Sequence, residues 1–370
     1  MTLDGLLSAL GAPVESVEEE TFELFSQELP SHSLGFVDAR AAVVDLTIAG
    51  RDLTIHQSPA VLASNRAGGT TGAVVWKITP LFASWLASPS NILFRPNGGP
   101  LVPARALVLE LGCGVSAILG CVLAHRVRGW LLTDQAYVGR LVETNIAANV
   151  SLIQDHGHGN GASGKKIGQR GKRQGGASTR SSSSSSTPSR SERRSSPAIS
   201  TSAPNHNTDP SFKVKFHPLD WETDTPTASL ASPWHRRSFD AVVACDCVYN
   251  EALVDPFVSA CADVCRLKEQ ELSESDPTRS DSDSDPEAGS DSGGAENEGE
   301  GFRGKGGRKP PCICVVAQQL RDPNVFEAWL ARFRQDFHTW RVPDALMHPG
   351  LRSNSGYVVH VGVLREALDI

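Results

Sequence analysis

The stretch Leu107-Val-Leu-Glu-Leu-Gly-Cys-Gly-Val-Ser-Ala-Ile-Leu-Gly120 decides the fold of this 370-residue chain. Its apolar run ends at Glu110, turns on Gly112 and Gly114, and resumes with the spacing of a helix. This pattern predicts a buried strand that leads through a glycine-rich loop into a helix N-terminus. Glycines let the backbone approach a ligand closely, and the free N–H groups there favour a carboxylate or a phosphate. The stretch therefore predicts a cofactor site in an α/β fold.

The glycine loop alone leaves two cofactors open. The segment Gly112–Ala117 fits the dinucleotide pattern and Asp134 closes the next apolar run, so a dehydrogenase is one interpretation. Against it, Glu110 precedes the glycines, where its charge would repel a pyrophosphate. No second cofactor-binding half follows, and the motifs Pro218–Trp221 and Asp246–Tyr249 both follow predicted strands on the same side of a sheet. A glutamate at this position favours S-adenosylmethionine, whose methionine end carries a cationic amine and a sulfonium.

Four blocks of the sequence resemble the seven-β-strand S-adenosylmethionine-dependent methyltransferases of the protein-lysine group. These blocks are Thr71–Lys77, Val108–Gly114, Leu219–Trp221 and Phe239–Tyr249. Within the group, the chain resembles the fungal ribosomal lysine N-methyltransferase five subfamily. The resemblance implies a class I, Rossmann-like α/β fold. Its sheet would be mostly parallel and seven-stranded with one antiparallel strand at an edge, and an N-terminal β-hairpin would precede it.

The composition supports a single methyltransferase domain over residues 1–370 with two inserts. Residues 154–208 are rich in Ser, Gly, Arg and Lys, and residues 269–309 are rich in Ser, Asp, Glu and Gly, so both are predicted to be disordered. An alternating pattern predicts a hairpin extension over residues 33–75. Strands are predicted at 106–111, 129–133, 212–216, 239–245, 312–317 and 356–364, and helices at 74–86, 116–125, 137–150, 250–268 and 326–337.

The bulk properties restrict the partners that are expected. A formal charge of −7 does not predict general affinity for nucleic acid. The eight cysteines lie mostly in apolar segments, and no stretch resembles a signal peptide or a membrane span. We therefore expect a cytoplasmic or nuclear monomer that acts on a protein, without direct contact to nucleic acid or membrane.

The predicted cofactor-binding residues follow from the strand ends and from the resemblance. The loop of Gly112 and Gly114 would lie under the methionine end, and Asp134 would accept hydrogen bonds from the ribose hydroxyls. The indole of Trp221 would lie against the adenine ring. By resemblance, Trp76 also lines the cofactor pocket. The complete predicted set is Trp76, Glu110, Leu111, Gly112, Gly114, Asp134, Asp220, Trp221 and Ala244.

The block Asp246–Tyr249 indicates the substrate. Methyltransferases that act on adenine or glutamine commonly have Asn-Pro-Pro-Tyr here, whereas this chain has a carboxylate at Asp246. A carboxylate suits a lysine ammonium, whose ordinary pKa of about 10.4 must fall before its lone pair can react. Asp246 and Tyr249 are therefore the predicted catalytic residues. No metal is expected, because the CxC pairs Cys245/Cys247 and Cys312/Cys314 lie on predicted strands rather than in metal-binding loops.

The predicted activity is methyl transfer from S-adenosylmethionine to the ε-amine of a protein lysine. The resemblance implies a large-subunit ribosomal protein as substrate, by analogy large-subunit protein one. Two alternatives stay open. One is a different target, such as an elongation factor, a chaperone or, less favoured without Asn-Pro-Pro-Tyr, a nucleic-acid base. The other is a non-catalytic scaffold that keeps this fold.

Overall fold

The computed structural model describes residues 3–28, 34–66, 69–94, 99–101, 104–154, 210–274 and 310–368. The strands of this part are β1 (Val43–Ile48), β2 (Arg51–His56), β3 (Leu107–Leu111), β4 (Gly129–Asp134), β5 (Val214–Pro218), β6 (Ala241–Cys245), β7 (Ile313–Gln319), β8 (Phe337–Arg341) and β9 (Tyr357–Leu364). The helices are α1 (Leu3–Leu10), α2 (Val17–Phe25), α3 (Pro59–Leu62), α4 (Ile78–Ala87), α5 (Ile118–Leu123), α6 (Gly139–Ala148), α7 (Val150–Gln154), α8 (Pro210–Lys213), α9 (Val254–Glu274), α10 (Pro323–Asp336) and α11 (Arg365–Leu368).

Seven strands form one sheet in the order β5-β4-β3-β6-β7-β9-β8. Strand β9 is antiparallel to both of its neighbours, and the other pairs are parallel. This confirms the predicted mostly parallel sheet with one antiparallel strand. The antiparallel strand is not at the edge, however, because β8 pairs along its outer side. The six strands predicted from the sequence lie within two residues of the observed bounds, and β8 was missed.

Strand β8 was missed because the apolar spacing does not change where the helix before it ends. Phe333 of α10 and Phe337 of β8 are four residues apart, as on one face of a helix, and no loop separates the two elements. Both side chains are fully buried, and their rings stack at 4.3 Å. A sequence pattern that continues across the boundary therefore extended the predicted helix to residue 337.

Helices cover both faces of the sheet. On one face, Cys245 Sγ of β6 lies 3.8 Å from Thr79 Oγ1 of α4. On the other face, the thiols of Cys314 in β7 and Cys261 in α9 form a hydrogen bond. Strands β3 and β6 have no exposed residue, which explains why they are continuous apolar runs in the sequence. The sheet is therefore the middle layer of an α/β sandwich, and ligands reach it only at its edges.

The predicted N-terminal hairpin is present as β1 and β2, paired along their whole length. Two buried asparagines hold it in place, one within α6 and one at the C-terminal cap of that helix. Asn145 exchanges hydrogen bonds with the backbone of His56, and Asn149 does the same with Thr54. Gln57, which follows β2, accepts a hydrogen bond from the N–H of Val75. The hairpin thus fixes the segment before α4, which forms one wall of the site described below.

Two other differences from the sequence-based expectation lie outside the central sheet. Helices α1 and α2 precede the hairpin and were not predicted; the buried Glu20 of α2 forms a 2.9 Å contact with His360 of β9. Helix α9 continues to Glu274, six residues into the predicted acidic insert. The rest of that insert, and residues 155–208 of the basic one, lie outside the described residues. In the part of the chain that the structure describes, no helix is long and apolar enough to cross a membrane.

Candidate active site

A cavity of about 390 Å³ lies at the carboxyl ends of the central parallel strands. Ligands of open α/β sheets bind at this edge, and small-molecule sites commonly measure about 300–1,000 Å³. The lining comes from segments 69–79, 112–116, 134–137, 219–222 and 245–253. Eight of the eleven predicted site residues line it: Trp76, Gly112, Gly114, Asp134, Asp220, Trp221, Asp246 and Tyr249. The cavity therefore gathers most of the residues that were selected from the sequence.

The loop after β3 requires glycine at two positions. Gly112 and Gly114 have φ angles of +68° and +57°, in the left-handed region. A Cβ on Gly112 would lie 2.5 Å from Sγ of Cys247, and one on Gly114 would lie 2.9 Å from the carbonyl oxygen of Gly72. The N–H of Val115 donates to that same oxygen. At Gly114 the backbone of the loop therefore packs directly against the backbone of Gly72, in the segment before α4. We call this glycine loop the cradle.

Asp134 at the end of β4 is tied to this loop. Its Oδ2 accepts the N–H of Gly114 at 2.9 Å, and its Oδ1 accepts the N–H of Gln135 at 2.7 Å. Burial raises the pKa of Asp134 to about 6, although these two hydrogen bonds oppose the shift. The negative charge of Asp220 raises it further. At neutral pH most molecules consequently present a carboxylate to the cavity.

An aromatic wall stands beside the cradle. The ring of Trp221 is so close to Gly112 that a Cβ there would lie 3.0 Å from its Cζ2. Its indole N–H is buried and has no hydrogen-bond partner among the described residues. Asp220, next in the chain, accepts a hydrogen bond from the amide of Gln135 at 3.2 Å. Trp221 therefore offers a flat apolar face and an unpartnered donor where the cavity adjoins the ends of β4 and β5.

Glu110 differs from its predicted position, because it does not line the cavity. The side chain is buried in β3, and its Oε2 accepts the indole N–H of Trp130 at 2.7 Å. Burial raises the pKa of Glu110 to about 8. Successive side chains of a strand point to opposite faces, and Glu110 shares a face with Trp130 of β4, beneath Gly120 of α5. The carboxyl group is therefore part of the core under that helix.

Leu111 and Ala244 also do not line the cavity. Both are fully buried and pair in register at the ends of β3 and β6. The carbonyl of Leu111 accepts a hydrogen bond from the thiol of Cys247 at 3.3 Å. Their side chains support the floor of the site rather than facing a ligand.

Asp246 lines the cavity but already has a partner. Its side chain is 3% exposed, and its two oxygens accept hydrogen bonds from both terminal nitrogens of Arg321 at 2.6 and 2.5 Å. The N–H of Gln319 adds a third at 3.2 Å, and the backbone has a φ of +64°. The guanidinium of Arg321 lies 4.7 Å from the ring centre of Trp76. Trp76, Arg321 and Asp246 thus form one connected wall, which we term the arginine wall.

Arg321 is the main functional candidate that the sequence interpretation missed. It follows β7 directly, at the same sheet edge as Asp134, Asp220 and Asp246. The rule that selected those three carboxylates, a polar residue after the carboxyl end of a parallel strand, would also have selected Arg321.

Tyr249 stands at the mouth of the cavity. The residue is 39% exposed. Among the described residues it is the only tyrosine that is classed as exposed. Burial of the hydroxyl end raises the pKa of Tyr249, opposed by a hydrogen bond with Thr71. The hydrogen bond with Thr71 therefore holds the hydroxyl end of the ring, while part of the residue stays exposed to solvent.

The cysteines near the site are buried thiols that stay protonated at neutral pH. All eight cysteines of the chain are free and buried, and Cys113, Cys245 and Cys247 line the cavity. Burial raises the pKa of these three thiols well above the usual range. Within the described ranges, no cluster of three His, Cys, Asp or Glu side chains could hold a metal ion. The thiols accordingly act as small apolar groups.

Comparison with known proteins supports the methyltransferase interpretation. Residues 197–285 match the family model described as lysine methyltransferase. The ribosomal lysine N-methyltransferase 5 of Eremothecium gossypii is 28% identical over 265 residues, 64% of this chain and 71% of that protein. The protein of the same name from Zygosaccharomyces rouxii is 29% identical over 222 residues, 56% of this chain and 58% of that protein.

Other similarities are more partial. A diaminohydroxyphosphoribosylamino-pyrimidine deaminase of Schizosaccharomyces pombe is 31% identical over 145 residues, 39% of this chain and 34% of that protein. The chain thus spans between a third and about seven tenths of the relatives named here. Among solved structures, spermidine synthase from Thermotoga maritima covers 93% of this chain and 83% of its own, with a TM-score of 0.31 and 13% identity. The strand order, rather than this likeness, carries the fold assignment.

The family model and the named relatives confirm the predicted resemblance to the lysine methyltransferases. The description of the family model as lysine methyltransferase favours the methyltransferase interpretation over the dehydrogenase interpretation.

Proposed function

We propose that this chain, whose residues 197–285 match a lysine methyltransferase family model, transfers a methyl group from S-adenosylmethionine to the ε-amine of a lysine in a ribosomal protein of the large subunit. The observation that carries the proposal is the convergence of the glycine cradle, Asp134 and Trp221 on one cavity that Asp246 and Tyr249 also line. The family resemblance of the sequence implies large-subunit protein one as the first candidate substrate.

The cavity fits the cofactor on three counts. Its volume suits a nucleoside-sized ligand. Gly112 and Gly114 line the cavity and have no side chains, so their backbone can approach the ligand closely. Trp221 lines the cavity, and its indole N–H has no hydrogen-bond partner among the described residues, so no contact of that kind withholds the ring from a ligand.

Each of the chain's groups would hold a different part of the cofactor. The ionised Asp134 would accept hydrogen bonds from ribose hydroxyls, and the indole of Trp221 would stack on the adenine with on the order of 1 kcal/mol. Trp76, positioned by Gln57 and the hairpin, would close the opposite wall. When bound, S-adenosylmethionine supplies an electrophilic methyl group on a sulfonium centre. The protein's contribution is to orient that group and to exclude water.

The substrate lysine must arrive at the cavity and lose a proton. Tyr249 is exposed at the mouth and would wall the entry, where its ring can contact a cationic side chain. The carboxylate of Asp246 lines the same cavity, and Arg321 holds both of its oxygens in a fixed orientation. A partly desolvated channel lowers the pKa of a lysine from its usual value of about 10.4 and frees its lone pair.

The test measures labelled methyl transfer from S-adenosylmethionine into an extract of cells that lack this enzyme. The unchanged chain should label one protein of the large ribosomal subunit, and the Asp246→Ala variant should bind the cofactor but label nothing. A labelled protein elsewhere, such as an elongation factor or a chaperone, would keep the reaction and replace the substrate. Label in nucleic acid alone would contradict lysine methylation, and cofactor binding without any label would favour a scaffold.

A further inference from the structure

A second, much smaller cavity lies next to the cofactor cavity. Its volume is about 20 Å³, which is room for one group of the size of a water molecule or a carbonyl oxygen. Tyr249 borders both cavities, and Arg321 of the arginine wall lines the small one. Gln318 near the end of β7 and Val325 and Phe326 in α10 also line it. A chain segment whose lysine passes Tyr249 would therefore run alongside this second cavity.

Gln318 gives the small cavity its chemistry. The side chain is 1% exposed, and its Nε2 has no hydrogen-bond partner among the described residues. The neighbouring Gln319 is different, since its Oε1 accepts the N–H of Gly35 at 3.0 Å. Buried amide groups are normally paired, so an unpaired amide donor in a cavity wall calls for an acceptor oxygen from a ligand.

The charges around the cavity decide which kind of oxygen suits it. Arg321 is the cation at its wall, and that guanidinium is already paired with Asp246. Asp322 lines the cavity as well, and Asp246 is bound to Arg321 without lining it. With two carboxylates to one guanidinium, an anionic ligand would be repelled. A neutral carbonyl oxygen, flanked by the apolar side chains of Val325 and Phe326, satisfies the amide donor without that repulsion.

We propose that the cavity of Gln318 is a substrate subsite that receives a carbonyl oxygen of the protein segment next to the target lysine. This inference rests on the proposed lysine methylation and adds to it a contact that positions the substrate. Gln318 lines only the small cavity and not the cofactor cavity. Its loss should consequently weaken binding of the protein substrate and leave cofactor binding intact.

The experiment compares Gln318→Met and Gln318→Glu with the unchanged chain, using large ribosomal subunits from cells that lack the enzyme as the probe. Met removes the amide donor at similar volume, and Glu places an acceptor where the donor was. We expect KM for the subunits to rise about tenfold for Met and further for Glu, because a lost hydrogen bond to a partly desolvated donor has this size. The affinity for S-adenosylmethionine and the kcat should stay near those of the unchanged chain.

Gln270→Glu is the matched control, because it makes the same chemical change on the exposed part of α9. Thermal unfolding of each variant shows whether it folds, and the Met variant keeps the test valid if the Glu variant does not. An unchanged KM in folded Gln318→Met would overturn the inference and mean that the cavity holds only water. If the unchanged chain labels no large-subunit protein, the proposed function fails first, and the subsite fails with it.

Discussion

The two sides of the main cavity are built in different ways. The cofactor side consists of a backbone cradle at Gly112 and Gly114 and one carboxylate, Asp134, all within a short stretch of sequence around β3 and β4. The opposite side depends on the arginine wall, whose members are separated by up to 245 positions between Trp76 and Arg321. The region proposed to hold the cofactor is therefore encoded locally, whereas the region proposed to face the substrate is assembled from distant elements.

The largest effect is expected from Glu110, which the sequence assigned to the cofactor side. Its pKa is about 8 in the folded chain against 4.5 ordinarily, so the folded state binds a proton that the unfolded state releases between these values. Stability from this group is therefore present at low pH and lost as pH rises toward 8. We expect Glu110→Gln to raise the free energy of unfolding by on the order of a few kcal/mol above pH 8 and by almost nothing at pH 4.5.

Denaturant unfolding at several pH values measures this difference, and cofactor titration provides the control. The Gln variant should bind S-adenosylmethionine as the unchanged chain does, because Glu110 does not line the cavity. A large loss of cofactor affinity would return Glu110 to the cofactor side and weaken the contrast between the two sides.

The cradle should be almost as sensitive, but in binding rather than in stability. A side chain at Gly114 must adopt a left-handed φ and approach the backbone oxygen of Gly72. We expect Gly114→Val to reduce affinity for S-adenosylmethionine by about a hundredfold, the equivalent of about 3 kcal/mol. Isothermal titration calorimetry measures the change. Gly11→Ala is the matched control, since Gly11 has a φ of +83° but nothing within 4 Å of a Cβ; its cofactor affinity should not change.

Substitutions of the ion pair in the arginine wall should change the free energy of unfolding rather than the affinity for the cofactor. Arg321→Met leaves the nearly buried Asp246 without its cation, which we expect to cost about 2 kcal/mol of unfolding free energy, since Arg321 itself is 24% exposed. Cofactor affinity should change little, because Arg321 does not line the cofactor cavity. Denaturant unfolding of Arg321→Met, Asp246→Asn and the double variant measures the coupling. Strictly additive effects would show that the ion pair does not hold the wall together.

Much of the fold could be predicted from the sequence because buried parallel strands are continuous apolar runs. Strands β3 and β6 have this character, and the glycine turn after β3 fixed the position of the cofactor loop. Strand β8 could not be separated from α10 because Phe333 and Phe337 share helical spacing. Local patterns therefore located the strands that are flanked by loops and missed the one that follows a helix directly.

The site was predictable to the extent that its residues follow strand ends. Asp134, Trp221 and Asp246 were found by that rule and line the cavity. The closeness of Glu110 to the glycines in the sequence suggested that it lines the cavity. The alternation of side chains along β3 instead directs its carboxyl group toward Trp130. The pairing of Asp246 with Arg321 lies 75 positions apart and leaves no local trace in the sequence.

The smallest expected effect is a pH dependence of the affinity for S-adenosylmethionine, which should arise from Asp134. The pKa of Asp134 is about 6, raised by burial and by Asp220 and lowered by the Gly114 and Gln135 N–H groups and by Arg66. If the ionised form accepts the ribose hydroxyls, affinity for S-adenosylmethionine should be constant above pH 7. Below pH 6 it should fall by up to about tenfold per pH unit as the carboxyl takes up a proton.

Asp134→Asn separates this titration from others, because an amide of the same shape has no charge to lose. The variant should bind more weakly at pH 7.5 and show a flat profile between pH 5 and 7.5, as measured by calorimetry in matched buffers. A flat profile in the unchanged chain would mean that Asp134 only braces the loop through Gly114. Since the arginine wall does not contact Asp134 through any hydrogen bond of the described residues, Arg321→Met should keep the pH profile of the unchanged chain. The pH dependence therefore belongs to the cofactor side alone.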